Sequence, residues 1–151
     1  MIDTYGIYGT NYPKIVTTGG TTINLVNAVI EKDEPEWEYK VFTSVLTGYR
    51  TLKRKGAHHV IELNYFLYKA GCLDDQHYLA DQLQDLLWND TSFYYYRHAD
   101  GAAYKDSSGS SVVFKLVEFK PYHLTTIDYK DAVYLKIIST KYVKMAPTQN
   151  L

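Results

Sequence analysis

At 151 residues the chain is near the common size of one domain, and folding can bury roughly 68 to 70% of the surface that the unfolded form exposes. Sixteen Lys and Arg against 17 Asp and Glu leave a net charge of -1, which excludes a global attraction to nucleic acid or anionic membrane; any such binding needs a local patch. The single cysteine, Cys72, excludes an internal disulfide, and no apolar run approaches the roughly 18 residues of a bilayer span, so a soluble protein made in the cytosol is expected.

The 16 Tyr residues, together with Val, Ile and Thr, favour strands and predict a mainly β fold. In chain order, residues 1–20 carry four glycines and Pro13 with no sustained period, and read as an extended N-terminal arm. Thr21 to Glu31 places Ile23, Leu25 and Val29 opposite Val26, Ala28 and Ile30, as in a strand covered on both faces. Lys32-Asp-Glu-Pro35 then reads as a turn. Glu36 to Leu46 alternates Trp37, Tyr39, Val41, Thr43 and Val45 with polar positions, and Ala57 to Tyr68 alternates again, so the two runs make a long hairpin.

After Gly71 the period changes to 3.6. Leu79, Leu83, Leu86 and Leu87 share one stripe while Asp81, Gln82 and Asp85 face away, which predicts one helix over 74–88. Asp74 or Asp75 would cap its start and Asn89 would supply a left-handed stop. Thr91 to His98 is strand-like and aromatic, residues 99–111 form a polar loop, and Val112 to Phe119 and Ala132 to Thr140 complete the strands. The expected fold is mainly β with one α-helix: a single β-sandwich or barrel domain over 21–140, flanked by the helix, with a long hairpin arm and a C-terminal tail over 141–151.

Residues suited to catalysis or metal binding do not converge in the sequence. His58 and His59 are adjacent, so on a strand their rings point to opposite faces. His77, His98 and His123 fall in separate elements with no ligand spacing beside them. Cys72 lacks a histidine partner in sequence, Glu62 and Asp85 are a chance carboxylate pair, and Gly101 and Gly109 are too far apart for a nucleotide loop. No enzyme activity, cofactor or metal is expected. Trp88 and Tyr94-Tyr95-Tyr96 offer aromatic faces, and a carbohydrate- or nucleic-acid-binding module is the alternative reading.

The strongest feature is basic. Gly48 to Gly56 reads as a loop held out by the two hairpin strands, with Arg50, Lys53, Arg54 and Lys55 beside Tyr49 and Leu52. A nearly neutral chain with segregated charge suits docking of this arm on an acidic face of a second copy. Tyr49 and Arg50 are the expected anchors.

The order of elements, with Tyr39-Lys-Val-Phe-Thr-Ser-Val-Leu46 running out, His58-His-Val-Ile-Glu-Leu-Asn-Tyr-Phe-Leu67 running back, then a helix and more strands, resembles small virion proteins of tailed bacteriophages. These are the tail tube, distal tail and baseplate proteins. The resemblance implies a structural protein of the virion, made in the host cytoplasm, that forms rings, usually hexamers. It implies that the hairpin and the N-terminal arm, with Tyr5, Tyr8 and Tyr12, contact other copies and neighbouring virion proteins. Specific nucleic-acid binding and membrane insertion are not implied.

Overall fold

The structure, a computed structural model, describes residues 12–69, 77–124 and 129–147. Seven strands and one helix follow in the order β1 (Lys14–Thr17), β2 (Thr22–Asn24), β3 (Ala28–Thr43), β4 (Arg50–Lys69), α1 (His77–Trp88), β5 (Ser92–Tyr96), β6 (Phe114–His123) and β7 (Tyr129–Ser139). The fold is mainly β with one helix and a long hairpin, as the composition and periodicity imply. All the ladders are antiparallel and form one sheet in the order β2-β1-β5-β6-β7-β4-β3.

β2 and β3 stand at opposite edges of this sheet yet are joined only by Leu25, Val26 and Asn27. At 3.3 to 3.6 Å per residue, that link holds the two edges within about 14 Å of each other. The sheet therefore curls like a barrel, although β2 and β3 share no ladder among the described residues. Side chains from both edges meet inside: Ile15, Ile23 and Leu25 join Ile61, Leu63 and Tyr65 of β4 and Phe93, Phe114, Leu135 and Ile137 of the central strands. Each such side chain, once fully buried, favours folding by about 1.5 to 3 kcal/mol.

α1 packs on this core through Leu83 and Leu86, with Leu79 and Leu87 partly buried beside them. Its end differs from the sequence reading, because the residue in the left-handed conformation is Asp90 (φ 52°) and not Asn89. Thr91 N–H donates to Leu86 C=O at 3.0 Å and Asp90 N–H to Leu87 C=O at 3.3 Å, the paired bonds that close a helix C-terminus. Residues 74–76, with the expected caps, lie outside the described residues, as does Cys72.

Three boundaries are corrected. Residues 14–17, assigned to an N-terminal arm, form β1 between β2 and β5, with Ile15 fully buried. Lys32 to Pro35 is not a turn: β3 runs straight through it, and Pro35 is tolerated because β3 is an edge strand. The basic segment 48–56 is not a loop. From Arg50 onward it is strand, paired with β3 from Thr43 back to Glu38, and the turn is only Ser44 to Tyr49. In the C-terminal tail, residues 141–147 lie against the sheet, with Val143 N–H donating to Ala57 C=O at 2.8 Å.

Candidate functional site

β3 and β4 begin in the core and leave it. β7 pairs with β4 only as far as Val60, so among the described residues β3 is the one ladder partner of residues 50–59 of β4. Every residue from Glu34 to Lys55 is exposed. The stretch from Glu36 to Thr43 and its return thus project as a two-stranded ribbon roughly 26 Å long, at about 3.3 Å per residue. An isolated pair of strands is marginally stable in water, because neither face is covered.

Pairing fixes which side chains share a face. Asp33 is opposite Ile61, Pro35 opposite His59, Trp37 opposite Ala57, Tyr39 opposite Arg54, Val41 opposite Leu52 and Thr43 opposite Arg50. A bulge that leaves Lys55 unpaired lies between Glu38 and Tyr39, and keeps this set aligned. One face therefore continues the core face outward as Trp37, Tyr39, Val41 and Leu52, each more than half exposed. Arg54 lies over the Trp37 ring at 5.4 Å. At the tip Val45 and Leu46 are 99% and 96% exposed and Tyr49 is 76% exposed, held by a turn in which Ser44 N–H donates to Tyr49 C=O at 2.8 Å.

Along the hairpin, charge falls in two blocks. Residues 39–55 hold Lys40, Arg50, Lys53, Arg54 and Lys55 and no carboxylate, whereas residues 31–38 hold Glu31, Asp33, Glu34, Glu36 and Glu38 against one cation, Lys32. On the face opposite the apolar one, Lys32 spreads over three carboxylates, at 3.6 Å from Glu34, 3.7 Å from Glu36 and 3.8 Å from Glu62. Lys40 stands directly opposite Lys53. Like charges in that position repel, so the distal ribbon is not arranged for its own stability.

The root is fastened on both faces. On the inner face His59 Nε2 donates to Asp33 Oδ1 at 2.5 Å, the Tyr104 hydroxyl donates to Asp33 Oδ2, and Arg97 Nη1 lies 3.9 Å from the same oxygen. Burial, and then the charge of Asp33, push the Tyr104 phenol well above its usual range. On the outer face the Tyr142 hydroxyl donates to Glu38, its ring lies 4.7 Å from that of His58, and a Cβ on Gly56 would fall 2.6 Å from Tyr142 Cγ. Only glycine leaves room for that ring.

Of the expected contact residues, Tyr49, Arg50, Lys53, Arg54 and Lys55 are all exposed on the ribbon. Tyr12 is half-buried just before β1, and Tyr5 and Tyr8 lie outside the described residues. The aromatic triplet is not a flat platform: Tyr95 is fully buried against Tyr104 and Phe114, Tyr94 and Tyr96 are half-buried, and Lys14 sits 4.5 Å over the Tyr96 ring. Trp88 remains exposed at the end of α1. Glu62 and Asp85 do not form a pair, since Glu62 accepts from the Tyr134 hydroxyl on the outer face of the sheet and Asp85 is exposed on α1.

A second cluster, like that at Asp33, was not visible in the sequence. His77 Nε2 donates to Asp131 Oδ2 at 2.7 Å and His123 Nδ1 to Asp131 Oδ1 at 2.5 Å, tying the start of α1 to β6 and β7. These bonds, that from His123 first, hold the Asp131 carboxyl below its usual range. The three residues line a groove that continues over Leu67, Phe119 and Tyr122. Among the described residues no helix is long and apolar enough to cross a membrane.

No family model matches the chain, and no curated protein matches it in sequence. Among solved structures it is similar to a chain of an extracellular contractile injection system, in the PVC sheath-tube complex in its extended state. That likeness covers 93% of this chain and 91% of the other, at 8% identity and a TM-score of 0.44.

Proposed function

We propose that this chain is a structural subunit that assembles through its β3–β4 ribbon, and that its assembly is a ring or tube of the phage tail or baseplate type. The observation that supports this is the ribbon itself. Among the described residues nothing covers residues 39–55, yet they combine an apolar face, an exposed apolar tip and five cations without a carboxylate. Such a surface gains stability when another protein covers it, and large exposed apolar patches mark contact sites. In the phage tail proteins that the chain resembles, the assembly is a ring, usually of six copies, inside the virion beside neighbouring virion proteins.

Native mass spectrometry and electron microscopy of the purified protein test the proposal. Rings or tubes are expected; a monomer at all concentrations would refute it. Anchors in an interface typically cost about 2 kcal/mol or more when truncated. Replacing Tyr49 and Arg50 by Ala is therefore expected to weaken assembly by about thirtyfold, while the exposed positions leave the fold unchanged by circular dichroism.

A second reading follows from the opposed Lys40 and Lys53, which suit any polyanion. Nucleic-acid binding would show an affinity that falls steeply with salt, with a slope of about -0.9 per phosphate neutralised on duplex DNA. A DNA titration with no salt-dependent signal would remove it.

A further inference from the structure

The ribbon also has an unused edge. β3 is the last strand of the sheet, and beyond its root nothing pairs with its outer side among the described residues. Long, exposed edges invite another strand, and proteins usually block them with proline, lysine or bulges. In β3 those blocks stand at the root, as Pro35, Lys32 and the irregularity between Ile30 and Lys32; Glu36 to Thr43 carries only Lys40, since the extra residue of the bulge between Glu38 and Tyr39, Lys55, belongs to β4 and leaves the alternation of β3 unbroken.

We propose that this edge pairs antiparallel with the same edge of a second copy, about a two-fold axis at Tyr39. The inference rests on the assembly reading and names one occupant of the ribbon. Pro35 has no N–H, and inside a sheet its nitrogen must face away from the ladder. Because backbone groups alternate along a strand, Trp37, Tyr39, Val41 and Thr43 then also point their N–H and C=O groups outward.

Charge selects the register. With the axis at Tyr39, Glu38 of each copy stands opposite Lys40 of the other, and Lys53 extends the same row. On the other face Trp37 meets the second copy's Val41, and Tyr39 meets Tyr39. Moving the axis by one residue opposes Glu38 to Glu38, or Lys40 to Lys40, and opposed like charges destabilise a ladder. Pro35 falls opposite Thr43, where the ribbon's strand ends, so its missing N–H weakens only the last bond. The second copy thus supplies the carboxylate that the Lys40 and Lys53 pair lacks in its own distal ribbon. The contact is isologous; it joins two copies and would set two rings face to face.

The test uses the full chain in a Cys72→Ser background, by oxidative cross-linking and sedimentation velocity. Hydrogen-bonded antiparallel partners have Cα atoms about 5.5 Å apart, within the 4.4 to 6.8 Å span of a disulfide. Tyr39→Cys is therefore expected to form a disulfide dimer rapidly. Val41→Cys is not, because two copies of position 41 lie about 14 Å apart along the strands. Glu38→Lys is expected to weaken the dimer about tenfold, and Glu38→Lys with Lys40→Glu to restore it.

Cross-linking no faster at position 39 than at position 41, or a double variant as weak as Glu38→Lys, would overturn the pairing. Assembly seen by electron microscopy in that case would leave the broader reading standing. A chain that is monomeric in every assay would overturn both.

Discussion

Near the core, β4 buries Val60, Ile61, Leu63 and Tyr65 completely, with consecutive residues covered on opposite faces, whereas from Arg50 to Lys55 the same strand is exposed on both. The ladder to β3 runs through both regions, with register shifts between Ile30 and Lys32 and between Glu38 and Tyr39. Hydrogen bonding is therefore not what separates them. In the first region burial of apolar surface stabilises the pairing; in the second the apolar face is present but nothing among the described residues covers it. The comparison teaches that one half of this hairpin is stabilised by burial and the other half is not.

Substitutions in the two halves should separate stability from assembly. The largest effect on folding is expected from Leu63→Ala, which opens a cavity in the fully buried half and should cost about 2 to 5 kcal/mol in urea denaturation. A cost below about 1 kcal/mol there would break the distinction. At the junction, Asp33→Ala removes the acceptor shared by His59 and the buried Tyr104 hydroxyl, and an unsatisfied buried donor costs about 1 to 3 kcal/mol.

A smaller effect is expected at Asp131, on the core side of the molecule. Its folded carboxyl is held below the usual range, first by His123 and then by His77. The contribution is therefore fully present above the unfolded carboxylate range and is lost as pH falls through the folded value. The difference in urea midpoint between the parent and Asp131→Asn should shrink as the pH is lowered from about 6 to about 2. A difference that grows in acid would contradict the assigned direction.

Much of the core half was legible in the sequence. The alternation in Ala57 to Tyr68 and the stripe of Leu79, Leu83, Leu86 and Leu87 are periods imposed by burial, and the elements fall where those periods place them. The ribbon was legible as a hairpin but not in its extent. Arg50, Leu52 and Arg54 share a face at strand spacing, yet two of the three are cations, so no hydrophobic period marks the strand. Pro35 was read as a turn because local propensity ignores where a strand lies, and at an edge the missing N–H costs little. β1 escaped because Lys14 to Thr17 is too short, between Pro13 and Gly19, to show a period.

The tertiary polar clusters were not legible at all. Asp33, His59 and Tyr104 come together only when the β3–β4 register is set and the segment after β5 folds back, through Tyr104 N–H to Tyr95 C=O at 2.9 Å. His77, His123 and Asp131 likewise meet across three elements. Charge segregation between residues 31–38 and 39–55 is plain in the sequence, but its meaning needed the strand pairing that puts Lys40 beside Lys53.

The smallest expected effect on folding belongs to the most direct test. Replacing residues 39–55 by an Asn-Gly turn joins the paired Glu38 and Gly56, shortens the ribbon to its root and leaves the core, the Asp33 cluster and the Tyr142 contact with Glu38 in place. The urea midpoint of this shortened chain, compared with its particles in the electron microscope, measures what the ribbon is for. The expected result is an unchanged midpoint with assembly abolished. Assembly that persists without the ribbon, or a fold that fails for want of it, would contradict the account.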